Sequence, residues 1–138
     1  MGMDLNGLNP KAEIGEDFSA NVWGWHCIHC LSDKAMEVYG LPYGTDGWQH
    51  NDGKGLKNQE ECDKLADAIE GYFTDNPLDD DILEVESDQI WVTRDGIIQI
   101  AEEGKVRPKS ARTPYYIKKE KIDKWVEFLR NCGGFEIW

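Results

Sequence analysis

The sequence predicts an α+β domain, three helices packed on a small, mostly antiparallel sheet, and three observations carry that prediction. Apolar residues recur every three or four positions over 23–39, 58–75 and 122–132, the period of helices buried on one face. Residues 82–100 change period instead, with Ile90-Trp91-Val92-Thr93 and Ile97-Ile98-Gln99-Ile100 clustering β-branched and aromatic side chains around Asp95-Gly96, a hairpin signal. A chain of 138 residues, 40% of them hydrophobic, has the size of one such domain, 1–138.

Taken in order, the opening 1–17 is rich in Gly and Asn and reads as an irregular arm with a short strand around 3–5. Helix one follows over 23–39, its stripe Trp25, Ile28, Leu31, Ala35, Val38 and Tyr39 closed by Gly40 and Pro42, although Gly24 weakens its start. Residues 40–57 hold five glycines and form one long loop, a length that in compact domains often serves function. Asn58 caps helix two with Glu61 three residues on, and Cys62, Leu65, Ala66, Ile69, Tyr72 and Phe73 make its buried stripe. After the hairpin, the basic, proline-containing 106–117 supplies an edge strand near 115–117. Helix three buries Ile122, Trp125, Val126, Phe128, Leu129 and Cys132; Gly133-Gly134 stops it before a last strand over 135–138.

The net charge of −12 is unevenly spread: residues 58–103 hold fifteen acids against two bases, whereas 104–138 hold nine bases against four acids. So acidic a middle segment repels phosphates and attracts basic protein surfaces, which argues against nucleic acid and for a protein partner with a basic surface, with Asp79, Asp80 and Asp81 as candidate contacts. Taken alone, the heavier reading of such a charge run is a solvated, solubilising face. The basic stretch 105–119 is expected to lie against acidic helix two. No segment is long and apolar enough for a membrane span, and the first residues carry no secretory pattern, so a cytoplasmic location is expected, with all four cysteines reduced.

Chemistry concentrates in His26-Cys27-Ile28-His29-Cys30, two of the three histidines and two of the four cysteines within five residues. On a helix His26 and Cys30 share the face of Asp33 and Glu37, opposite Ile28, Leu31 and Ala35, and offer at most part of a tetrahedral set. A zinc site therefore needs His50 as well, giving His26, Cys30 and His50 as the metal candidates. The heavier reading is no cofactor, with Cys27 and Cys62 as small core residues and His26 and His29 as surface or interface side chains. The loop Trp48, His50, Asn51, Asp52, Gly53, Gly55 is the ligand-binding candidate. Five residues separate Gly47 from Gly53-Lys54 and Gly55 replaces the magnesium-binding hydroxyl, so it is not a phosphate loop; a calcium loop fails because Trp48 and His50 fall at ligand positions. The heavier reading of the same string is a turn that reverses the chain before helix two.

Met3-Asp4-Leu5 with Gly7, Asn9 and Pro10, then Asn21-Val22-Trp23-Gly24-Trp25, Asn51-Asp52-Gly53-x-Gly55-Leu56 and Gly133-Gly134-Phe135 together resemble a family of small uncharacterised proteins of bacteriophages and bacteria. Members of that family commonly carry Arg-Pro after the tryptophan cluster, where this chain has His26-Cys27, so the resemblance implies that a metal site would be peculiar to this chain; it carries no activity over. The expectation is a non-enzymatic, cytoplasmic phage- or mobile-element-type accessory protein binding another macromolecule through an acidic surface. The alternatives are a small enzyme or ligand-binding domain using Asn51-Asp52-Gly53 with His26 and Cys30, and a zinc-binding module.

Overall fold

A computed structural model describes residues 2–50, 53–78, 82–84, 90–92, 98–100 and 116–138. Its elements are strands β1 (Gly2–Gly7) and β2 (Asp17–Asn21), helices α1 (Val22–Tyr39) and α2 (Gln59–Asp75), strands β3 (Ile82–Glu84), β4 (Ile90–Val92), β5 (Ile98–Ile100) and β6 (Tyr116–Lys118), helix α3 (Lys119–Asn131) and strand β7 (Phe135–Ile137). The fold is α+β, and every strand pairing among the described residues is antiparallel.

Where one sheet was expected, the described strands form three, ordered β2-β1-β7, β3-β6 and β4-β5. β2 is a strand that the sequence reading passes over. Its five residues Asp17-Phe18-Ser19-Ala20-Asn21 bury only Phe18 and Ala20, and Asp, Ala and Asn are poor strand formers. Pairing with β1 supplies what propensity lacks, setting Met3 opposite Ala20 and Leu5 opposite Phe18 on the buried face. The expected hairpin appears as β4 and β5, Ile90 opposite Ile100 and Val92 opposite Ile98, with the Asp95-Gly96 turn outside the described residues. The strand expected near 115–117 is β6, paired with β3, and the basic residues 105–115 lie outside the described set.

Helix boundaries follow local chemistry. The Asn21 side chain accepts from the Gly24 amide (2.7 Å), and Gly40 ends α1 at φ 67°. Asn58 caps α2 through the Glu61 amide (3.0 Å), while the Glu61 carboxylate reaches past the cap to the Lys57 amide (3.3 Å), one residue further back than a capping box requires.

Part of the loop of 40–57 hydrogen-bonds along β7. Phe135 and Ile137 amides donate to the Leu56 and Lys54 carbonyls, both at 2.8 Å, and the Gly53 amide donates to Ile137 (2.8 Å), so residues 53–56 cover the outer edge of β7. The core is aromatic and centred on Trp125, whose ring meets Phe18 at 5.2 Å, Phe135 at 5.5 Å, Trp25 at 5.6 Å and Phe128 at 5.9 Å. The Trp125 indole donates to the buried Ser32 hydroxyl (3.2 Å) and that of Trp25 to the Trp48 carbonyl (2.7 Å). No helix among the described residues is long and apolar enough to cross a membrane.

Candidate functional site

Three neighbourhoods compete, and α1 sets the geometry of the first. Trp25 and His29 form one ridge of the helix, and His26 and Cys30 form the next, about 100° round the axis. The 45–48 turn docks on the Trp25–His29 ridge. Thr45 gives its hydroxyl proton to Asp33 (3.1 Å), so His29 Nε2 must be the donor in its 3.0 Å contact with Thr45 Oγ1, and the His29 ring also packs on Trp48. Burial lowers the His29 pKa, and nearby Asp33 only partly opposes that. His29 is thus an interface side chain that pins the loop to the helix. Thr45, half of that pin, went unnoticed in the sequence; its signal was a hydroxyl inside a loop whose next large residue is a tryptophan.

On the second ridge Cys30 Sγ and His26 Nε2 stand 3.7 Å apart. Burial raises the Cys30 pKa, with Asp33 adding to it, and burial lowers that of His26. Both shifts favour the neutral forms, a thiol beside an imidazole, over the thiolate–imidazolium couple that nucleophilic catalysis uses. His50 does not complete a set with them. Among the described residues no three His, Cys, Asp or Glu side chains converge as metal ligands, because the turn carrying His50 is anchored to the other ridge through Thr45 and Trp48.

The loop candidate divides. Trp48 is a core side chain, 2% exposed, and not one displayed to a ligand. Gly53 and Gly55 serve close approach: a Cβ on Gly53 would lie 2.7 Å from the Trp138 ring, and one on Gly55 would lie 2.1 Å from the Phe135 carbonyl oxygen. His50 is exposed, while Asn51 and Asp52 lie outside the described residues, as do Asp79, Asp80 and Asp81.

The third neighbourhood is the outer side of α2. Glu60, Asp63, Asp67 and Glu70 follow one another at three- and four-residue steps and so share one face. Lys64 lies 3.2 Å from Glu60, and Arg130 of α3 reaches Asp67 (2.9 Å) and Glu70 (3.0 Å). Among the described residues 58–78 there are six acids and one base, so with Arg130 counted the face keeps a negative excess. The Asp67 and Glu70 side chains remain 70% and 58% exposed, which leaves these pairs worth little as stabilisers and the carboxylates open to a partner.

No family model, curated protein or solved structure matches the chain.

Proposed function

We propose that this chain is a non-enzymatic cytoplasmic accessory protein, of phage or mobile-element type, that binds a macromolecule with a basic surface through the acidic face of α2 and the acidic residues that follow it in sequence. The observation that carries this reading is the row Glu60, Asp63, Asp67, Glu70 along one side of a helix of about 25 Å, with Glu60, Asp67 and Glu70 exposed and Asp63 half-buried against Gln59. Carboxylates spaced a helical turn apart on a rigid element offer an ordered row of negative charge to lysines and arginines, and such complementarity speeds association and selects partners. The phage assignment rests on the resemblance of the sequence motifs alone. A thiol–imidazole enzyme is supported less, since the shifts at Cys30 and His26 both favour the neutral forms.

The test is a pull-down from bacterial lysate with the full chain as bait, comparing wild type with the charge-reversed variant E60K/D67K/E70K/D80K/D81K. Retention of a basic protein by wild type, lost in the variant and weakened by 0.2 M added salt (roughly two- to fourfold shorter screening than in dilute buffer), is the expected result. Retention unaffected by both changes would sink the reading.

A further inference from the structure

Two cysteines belong to none of these neighbourhoods. Cys62 lies in the first turn of α2 and Cys132 at the end of α3; both are 0% exposed, and their sulfurs stand 3.6 Å apart across 70 residues of chain. Their surroundings hold them in register. Gln59 donates to the Leu129 carbonyl (2.8 Å) and accepts from the Gly133 amide (2.8 Å), so one side chain ties the start of α2 to the end of α3 on both sides of Cys132. Gly133 and Gly134 then seat the turn against Asn9 and Lys57, where no Cβ would fit.

We propose that Cys62 and Cys132 are a modification site, a thiol pair that a hydroperoxide oxidises to a disulfide linking α2 to the α3–β7 turn. A disulfide needs sulfurs about 2.05 Å apart, so each must move by less than ~1 Å, within reach of side-chain rotation. The two thiols are not equivalent. Cys132 Sγ lies 3.6 Å from both the Cys62 sulfur and the Leu129 carbonyl oxygen, and the Cys62 contact together with the Gly134 amide lowers the Cys132 pKa against the opposing effect of burial, while Cys62 is pushed up. Cys132 is therefore the first thiolate. It attacks one oxygen of hydrogen peroxide; the O–O bond breaks, a sulfenic acid forms, and the departing hydroxide takes up the proton that Cys132 released on ionising. The Cys62 sulfur then attacks the Cys132 sulfur, forming the S–S bond and breaking S–O, with hydroxide leaving as water with the Cys62 proton. Two thiols lose two electrons in all, and one peroxide is reduced. Burial restricts the oxidant to one near the size of water, whereas half-buried Cys30 meets bulkier reagents first.

The experiment treats the full chain with hydrogen peroxide, blocks the remaining thiols with iodoacetamide in denaturant, and maps the peptides by mass spectrometry. The expected result is a peptide crosslinked through Cys62 and Cys132, a mass loss of about two hydrogens reversed by dithiothreitol, and a Tm higher by several degrees, because the link closes a long loop of the unfolded chain. With C62S the expected product is a dimedone-trapped sulfenic acid at Cys132. Recovery of both cysteines alkylated from peroxide-treated wild type, a crosslink through Cys30, or a Cys62–Cys132 link that leaves Tm unchanged would overturn the proposal. The wild-type mapping decides the matter even if C62S fails to fold.

Discussion

Single residues show where the chain is intolerant, and the glycines make the sharpest contrast. Gly44 and Gly134 both have positive φ, 71° and 98°, but a Cβ at Gly44 meets nothing within 4 Å whereas one at Gly134 would lie 2.6 Å from the Lys57 carbonyl oxygen. Gly44→Ala is expected to cost about 1 kcal/mol, the left-handed penalty alone. Gly134→Ala should cost about 2–3 kcal/mol, since the turn must also open, and paired urea melts measure the difference. The histidines give a pH prediction at the same scale. Burial lowers the pKa of His26 and of His29 below 6.5, so the unfolded chain binds protons more readily than the folded one. Their contribution is fully present above pH 6.5 and is lost as pH falls from there through the lowered folded values. The H26Q/H29Q variant should show a smaller Tm loss than wild type between pH 7.5 and pH 5, an interval chosen to bracket the ordinary histidine pKa; equal losses would contradict this. Side-chain partners such as Thr45 for His29 were hidden from the sequence, because nothing in one strand of text says which ridge of a helix a distant loop will meet.

Elements were more legible than their neighbours. All three helices stand where apolar periodicity and caps put them, since Asn58, Gly40 and Gly133-Gly134 act within a turn of their own position. β2 was missed because its stability comes from pairing with β1, a long-range effect on a segment with weak propensity. The single expected sheet resolves into three among the described residues for the same reason: strand identity is local, strand partnership is not. At this scale Gln59 is the residue to change. Its amide satisfies the Leu129 carbonyl and the Gly133 amide and also reaches Asp63 (2.7 Å), joining α2 to α3 and to the turn that leads into β7. Gln59→Ala should destabilise by about 1–3 kcal/mol by leaving partly buried backbone groups unpaired, whereas loss of an exposed pair such as Lys64–Glu60 should be nearly silent. Thermal melts of Q59A and K64A check both.

For the whole molecule, charge is the property that the sequence states most plainly and the fold then organises. The count of fifteen acids in 58–103 was visible at once, but that Glu60, Asp67 and Glu70 are exposed along one face, with Arg130 reaching across from α3, required the packing of α2 on α3. The His-Cys cluster moved the other way, from the densest chemical signal in the text to two separate ridges, one pinning a loop and one a neutral thiol–imidazole pair. An acidic binding face makes a claim about location, not merely about net charge. The direct measurement is therefore the affinity of the captured basic protein for two variants with equal numbers of reversals. One changes Glu60, Asp67, Glu70, Asp80 and Asp81 to Lys, and the other changes the exposed Glu13, Glu16, Asp17, Glu37 and Asp46. The account predicts that the first variant loses affinity tenfold or more, about 1.4 kcal/mol, while the second stays close to wild type; equal losses in both would mean that bulk charge, and not the α2 face, holds the partner.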